Sequence, residues 1–384
     1  MYDLKAHGWM VSDPMRMGAY ADAIASVVKP GDVVADVGAG IGVFAMLACR
    51  AGARKVYAIE PSEVVTIAQD MVRDNDLSSR VEYFQALSTA VELPERVDVI
   101  VADLNGQFCL FGRIIPSIID MRSRFLKADG VMIPQRNVMW VAPISDDDTY
   151  RAFNEPWRVN ALGLDLSAAL GSSVLQPDSA AITAEAVLAI PQIWATLDFA
   201  QVKSPDFDRA IRFVIDCASP LHGFAVWFDA HLTPNIAIRN GPLADNPSYC
   251  YRTRFFPLPE PVTVSKGAEI ELRLRANLVG SDYLWRWDTT VLDPSSTAQP
   301  PTCFKQSTFM PEVISKNALH RQAGDFRPKL NDEARELAFV LGHMQQANTL
   351  QQISHAFAAE FPARYTSALD AFNRVAEISV KYAT

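Results

Sequence analysis

The sequence predicts an α/β domain built on a doubly wound parallel sheet, then an all-β barrel, then a small helical module. Three observations carry this. Between residues 33 and 134, strand-length apolar runs alternate with helical stretches. After Pro143 the alternation gives way to short strands punctuated by proline. Beyond about residue 301 the pattern turns helical.

Residues 1–29 read as helical, with His7, Met10, Asp13, Arg16 and Tyr20 recurring every three or four positions and so sharing one face. By itself this face suits a cover helix with a solvated charged edge. Pro30 and Gly31 end it. Residues 33–37, VVADV, form a strand with an acid near its end. Gly38, Gly40 and Gly42 then let the backbone turn sharply and approach a ligand with no Cβ in the way. Residues 43–50 form a buried helix, and 55–59 a second strand that ends at Glu60. A further strand at 97–102 runs into the loop Asp103-Leu104-Asn105-Gly106. A helix at 114–126 and a turn at Asp129-Gly130 lead to the strand 131–134.

Strands are then expected at 181–190, 194–199, 210–217, 223–232, 262–264, 269–276 and 285–291. Pro301 and the polar residues before it read as a linker. Helices follow at 331–344, 349–361 and 365–382, the second opened by Thr349 as N-cap and closed by Pro362. Their order resembles a small winged-helix or PqqD-like module, with a packing or assembly domain as the plainer reading. The domains are thus 1–30 (covering helices), 31–143, 144–300 (barrel) and 301–384 (helical).

A chain of 384 residues exceeds one ordinary core. Hydrophobic residues make up 49 % and charged residues 21 %, a globular balance, and no apolar run reaches the ~18 residues of a membrane span. The N-terminus lacks the basic and apolar regions of a secretory signal. A net charge of −9 argues against a general grip on nucleic acid. Cys49, Cys109, Cys217, Cys250 and Cys303 are scattered and odd in number, which suggests reduced thiols and a cytoplasmic protein. Neither they nor the six histidines have metal-ligand spacing, so no protein-bound metal is expected.

The glycine loop selects a ligand class. A dinucleotide fingerprint needs a third small residue where this chain has Val43. Gly38-x-Gly40-x-Gly42, with Asp36 before it and Glu60 some 20 residues on to meet a ribose diol, resembles the first motif of S-adenosylmethionine (AdoMet) methyltransferases, which makes the domain Rossmann-like. A nicotinamide or flavin cofactor, and a purely structural turn, are the alternatives.

The string His7-x-x-Met10-x-x-Asp13-x-x-Arg16-x-x-x-Tyr20 matches the helix before the AdoMet domain in protein arginine methyltransferases. The segments 51–57 (AGARKVY), 91–100 (VELPERVDVI) and 221–229 (LHGFAVWFD) resemble further strings of that family. The resemblance covers about residues 5–293 and implies AdoMet bound by His7, Met10, Arg16, Asp36, Gly38, Gly40, Gly42 and Glu60, with Arg16 on its carboxylate. The insert 153–175 sits where the family carries a dimerisation arm, so a homodimer is expected. In that family two glutamates of one loop clamp the acceptor guanidinium, and a barrel histidine–tryptophan pair completes the site. Here the first glutamate becomes Asp103, the second becomes Gly112, and the histidine falls at Cys250.

The expectation is an AdoMet-dependent methyltransferase with this architecture and a remodelled acceptor pocket. Asp103 would be its base, and Trp9, Tyr249 and Tyr251 would line a site for a small molecule or peptide methylated on N or O. The alternatives are a protein arginine N-methyltransferase using one acid, a non-catalytic AdoMet-binding partner of an active enzyme, and an NAD-dependent oxidoreductase, against which Val43 counts.

Overall fold

Uninterrupted apolar runs suit strands buried on both faces, and these runs form a five-stranded parallel sheet. Its strands β1 (Val33–Val37), β2 (Lys55–Ile59), β3 (Val81–Phe84), β4 (Val97–Val101) and β5 (Leu126–Ile133) lie in the order β3-β2-β1-β4-β5. The order reverses beside β1, so the crevice at the carboxyl ends of β1 and β4 is the place where such sheets bind ligands. The computed structural model describes residues 3–159, 162–295, 301–310 and 315–383, in two compact units that divide between 312 and 313.

Helices α1 (Leu4–Val11), α2 (Pro14–Val27), α3 (Val43–Arg50), α4 (Val65–Asp74) and α5 (Ile114–Phe125) accompany this sheet. The expected helical segment 1–29 is two helices, α1 and α2. Pro14 cannot donate a hydrogen bond, and the Asp13 carboxylate instead accepts from the Met15 and Arg16 amides as N-cap of α2. Asp13 therefore ends one face and starts another.

The second half of this unit is antiparallel. It comprises β6 (Arg136–Ile144), α6 (Asp147–Arg158), α7 (Leu170–Ser173), β7 (Asp178–Ala180), β8 (Gln192–Asp198), β9 (Phe207–Val214), β10 (Ser219–His231), β11 (Ala237–Ile238), β12 (Thr253–Val264), β13 (Glu269–Val279), β14 (Asp282–Leu292) and β15 (Thr302–Ser307). One sheet runs β7-β12-β10-β6-β8, with β11 paired to β10, and the other runs β15-β14-β13-β9. Trp194, Trp285, Trp287 and Phe256 interlock between them at ring separations of 5.2–5.5 Å. Strand β10 is buried on both faces: Phe224, Val226 and Phe228 enter the main core, while Ala225 and Trp227 join a smaller cluster with Tyr150 of α6.

Several sequence expectations are corrected here. Residues 184–186 make a 3-10 turn rather than the middle of a strand. Strand β6 went unrecognised, and β12 begins at Thr253, well before 262. Its prolines mask it, yet β7 pairs only Thr253 to Phe255, so the prolines beyond stand on an unpaired edge and forgo no ladder bond. Strand β15 extends the sheet past residue 300. The residues 296–300 of the expected linker, and 160 and 161 of the expected arm, lie outside the described residues.

The second unit contains α8 (Lys316–Gln322), which the sequence reading lacked, and α9 (Asp332–Met344), α10 (Leu350–Glu360) and α11 (Ala368–Tyr382). The last three pack on Val340, Ile353, Phe357, Ala371, Val375 and Ile378. Thr349 and Gln352 form a reciprocal capping box at α10. The buried Glu336 carboxylate accepts from Tyr365 and faces Arg364 and Arg374, which ties α9 to the chain before α11 and to α11 itself. The described residues of this unit contain no strand and so form no β-wing of a winged-helix module. Among the described residues no helix is long and apolar enough to cross a membrane.

Candidate active site

The chain leaves β1 through a bend in which Gly38, Gly40 and Gly42 have φ of +73°, +52° and +79°, where a Cβ is disfavoured. Each glycine also answers to a different neighbour. A Cβ at 38 would lie 2.8 Å from Leu104, one at 40 would lie 2.7 Å from the His7 ring, and one at 42 would lie 2.3 Å from the Tyr83 hydroxyl. Gly38 and Gly40 line a cavity of about 430 Å³ together with His7, Met10, Arg16, Glu60, Asp103 and Phe111. Gly42 and Asp36, both expected to touch a cofactor, lie outside that lining and shape the bend from behind.

Asp36 is fully buried. Its Oδ2 accepts the Ala45 amide at 2.9 Å, which fixes the first turn of α3 to the end of β1, while its Oδ1 has no partner. Burial pushes its carboxyl up to about 7, with the Ala45 amide opposing and Glu60 reinforcing the rise. Glu60, at the tip of β2, holds the bend itself. Its Oε2 accepts the Gly40 amide and its Oε1 the Ser62 amide, both at 3.0 Å. Each oxygen keeps a further lone pair for a ligand. Burial lowers the pKa of His7, although Glu60 works against this.

Arg16 stands in the first turn of α2 with its guanidinium 5.2 Å from the Phe44 ring centre and 5.7 Å from that of Tyr20. Its Nε donates to Asp103 Oδ2 at 2.7 Å, and its Nη1 donates to the Met10 carbonyl. Both side chains of the pair are about nine-tenths buried. Burial works against the charge on Arg16, but Asp103 beside it raises its pKa overall. Its Nη2 makes no hydrogen bond among the described residues, and the side chain borders the cavity.

Asp103, in the loop after β4, is the second acid of the cavity lining beside Glu60. The Tyr251 hydroxyl donates to both its oxygens at 3.0 and 3.1 Å, and Asn105 Nδ2 donates to Oδ1 at 3.2 Å. Asn137 Nδ2 in turn donates to Asn105 Oδ1 at 2.6 Å. Burial, then Asp103, hold the Tyr251 phenol well above its ordinary range, so it remains a donor. Asp103 is thus an oriented carboxylate, paired with Arg16 and hydrogen-bonded by Tyr251 and Asn105.

Trp9 and Tyr249 were expected to line an acceptor pocket with Tyr251. Instead their rings pack on each other at 4.8 Å outside the cavity lining, with Tyr249 Oη 2.8 Å from Ser12 Oγ and Arg252 over the Trp9 ring. Tyr251 is buried and acts through Asp103. Asp13 holds the barrel side: its Oδ2 accepts from Ser248 Oγ at 2.6 Å and from the Cys250 amide at 3.3 Å. Burial first, then Asp13, push the Cys250 thiol up to about 12, which leaves it protonated and unreactive. Gly112 contributes no side chain; its amide donates to Asp282 Oδ1 at 2.9 Å.

Sequence reading assigned no role to Asn105, Asn137, Ser248 or Asp282; the last two meet partners 235 and 170 positions away. The donors present fit AdoMet. The cavity is of ligand size, Arg16 Nη2 suits a carboxylate, Glu60 suits a diol, and the glycines leave room for the ligand to approach.

Known proteins resemble this chain in sequence and in fold. Residues 135–288 match the family model described as the arginine methyltransferase oligomerization subdomain, and residues 21–134 match ribosomal protein L11 methyltransferase. A probable protein arginine N-methyltransferase 6.1 of Oryza sativa subsp. indica is 31% identical over 277 residues, 69% of this chain and 73% of that protein. Protein arginine N-methyltransferase 6 of Xenopus tropicalis is 30% identical, over 59% of this chain and 70% of its own length. A probable protein arginine N-methyltransferase 6 of Arabidopsis thaliana is 33% identical over 59% of this chain, and the chain spans only 54% of that protein. Among solved structures, the Trypanosoma brucei PRMT1 enzyme-prozyme heterotetrameric complex with AdoHcy aligns with TM-score 0.72 and 22% identity over 79% of this chain and 98% of that one. Protein arginine methyltransferase 10 of Arabidopsis thaliana, in an open conformation, aligns with TM-score 0.69 and 24% identity over 79% and 97%.

Two predictions follow from the bend. Gly40→Val should weaken AdoMet binding by roughly 100-fold or more, because its backbone sits in the left-handed region and its side chain meets His7; calorimetry showing wild-type affinity would contradict this. A carboxyl whose folded pKa is raised binds its proton more tightly in the native state, so its contribution to stability falls as pH rises. In the free protein, the stability of wild type relative to Asp36→Asn should therefore decline between about pH 4 and pH 7, by at most ~1.4 kcal/mol per pH unit. Denaturant titrations at several pH values that run parallel for the two proteins would refute it.

Proposed function

The chain belongs to the protein arginine N-methyltransferase family, and on that footing we propose that it binds AdoMet at the glycine bend and methylates a guanidinium nitrogen of an arginine in a protein or peptide. The observation that carries the reading is one cavity lined both by the glycine bend and by Asp103. AdoMet would supply an electrophilic methyl on a sulfonium. The chain's own residues do the rest. Arg16 Nη2 takes the cofactor carboxylate while Nε keeps Asp103, and Glu60 takes the ribose while it holds the bend. Asp103, fixed by Tyr251 and Asn105, draws the positive charge of the acceptor toward itself and leaves the nitrogen that faces the methyl the more nucleophilic. The relatives named above act, by name, on arginine in proteins, so this reading takes precedence over the expected small-molecule acceptor.

A second reading has its own support. Gly112 and Cys250 replace two of the family's acceptor-binding side chains, and Asp103 is already engaged by Arg16 and Tyr251. A non-catalytic AdoMet-binding partner of an active relative would look like this. Production of S-adenosylhomocysteine by the purified chain with arginine-bearing peptides or histones supports the enzyme; AdoMet binding without turnover across that panel supports the partner.

The homodimer belongs to the same proposal. Trp157, Val159, Leu162 and Leu164, in the insert expected to form an arm, are exposed. Five free cysteines, two of them exposed, suit a reducing cytoplasm. Light scattering should give a dimer, and Trp157→Glu should shift it toward monomer; a monomeric wild type would remove the claim. Asp103→Asn should lower turnover by about 10²-fold or more, the usual scale for losing a positioned charge or base. Unchanged turnover would exclude Asp103 from the chemistry.

A further inference from the structure

Val11 and Phe111 line the cavity and are themselves exposed, so both stand where it meets solvent. Arg252 is braced between the segments that carry them. Its amide donates to the Gln107 carbonyl at 2.8 Å, next to Gly106 of the cavity lining. Its guanidinium lies 5.8 Å from the ring centre of Trp9, which is exposed and directly precedes the lining residue Met10. Tyr251, the residue before it, donates to Asp103. A guanidinium held over an indole keeps its N–H edges free for a further partner. The Arg252 side chain is exposed and, among the described residues, makes no hydrogen bond and no ion pair.

Two further arginines stand beside the same loop. Arg254 lies 5.8 Å from the Phe108 ring centre; its Nε is buried without a partner, and its Nη1 reaches the Pro177 carbonyl at 3.5 Å. The carboxylates that act on it, Asp178 and Asp282, stand beyond ion-pair distance. Arg113 is exposed and donates to the Gly280 carbonyl at 3.1 Å. None of the three pairs with a carboxylate among the described residues, whereas Asp103 is neutralised by Arg16. Asp282, which accepts the Gly112 amide, offsets only part of this charge. In a chain of net charge −9, the margin of the cavity beside this loop therefore carries an excess of positive charge.

We propose that Arg252 receives a carboxylate of the acceptor peptide, so that the site selects arginines set among acidic residues; the inference rests on the arginine reading above. A peptide that sends its arginine into the cavity must cross this margin with the neighbouring side chains outside. A carboxylate there meets the guanidinium fork in a bidentate pair, and Arg113 and Arg254 add to the attraction. A lysine or arginine in its place is repelled, so the same charges discriminate against strongly basic acceptors.

The test measures turnover of AdoMet by the full chain on three peptides of one length, each with a single arginine flanked on both sides by glutamate, glutamine or lysine. At low ionic strength, kcat/KM should favour the glutamate peptide over the lysine peptide by about tenfold, because attraction of one and repulsion of the other add. The difference should lie chiefly in KM and shrink with added salt. Arg252→Gln should reduce the preference to about threefold or less. Arg252→Glu should reverse the order, a gain for the lysine peptide that loss of folding could not produce. Rates within about twofold on all three peptides in wild type, a preference for the lysine peptide, or an unchanged preference in Arg252→Gln would overturn the proposal while leaving the arginine reading intact. Absence of turnover on all three peptides would remove that reading and this inference with it.

Discussion

The ion pair between Arg16 and Asp103 holds together a wall of the cavity that both side chains line. Arg16 comes from a helix that precedes the parallel sheet, and Asp103 from the loop that follows its fourth strand. Both charges are withdrawn from water, at a cost that only close pairing and full hydrogen bonding offset. The partners meet most of that condition: Tyr251 and Asn105 serve the carboxylate, the Met10 carbonyl serves one guanidinium nitrogen, and the stacked Phe44 and Tyr20 rings lie beside it, while Nη2 makes no hydrogen bond among the described residues. Removing either charge would strand the other in a low-dielectric site, so the positions of α2 and the 103–112 loop depend on one another. A ligand that touches the free edge of Arg16 is thereby coupled to the acid at the acceptor end.

Asp13 makes the second connection. Its two oxygens divide their work, Oδ1 capping α2 and Oδ2 receiving Ser248 and the Cys250 amide from the barrel. The N-terminal helices are thus tied to both folded halves of the first unit through two neighbouring acidic sites. Ser248 and Cys250 satisfy Asp13 with a hydroxyl and a backbone amide. The contact is retained without a titratable ring, which removes one candidate for pH-dependent behaviour near neutrality.

How much of this could be read from sequence follows the range of the interactions. The glycine bend, Glu60 and Arg16 stood out because each belongs to a local pattern with a fixed spacing. The parallel sheet was legible for the same reason, as unbroken apolar runs between helices. The break at Asp13-Pro14 carried its own capping signal, but the helical spacing of apolar and charged residues across it ran on undisturbed and concealed the change of axis. Strand β12 was concealed by prolines that cost nothing on an unpaired edge. The closure of the acceptor end was not legible. Tyr251 meets Asp103 across 148 positions and Asp282 meets Gly112 across 170, and neither pair follows a periodicity. Trp9 and Tyr249 look like pocket aromatics by type, yet they satisfy each other outside the cavity.

The most direct measurement is a crystal structure of the full chain with S-adenosylhomocysteine. The nucleoside should lie over Gly38 and Gly40 with its diol on Glu60 and its carboxylate on Arg16 Nη2, while Arg16 Nε remains on Asp103. A nucleoside lodged in another crevice, or one that draws Arg16 away and leaves Asp103 without its guanidinium, would contradict the account.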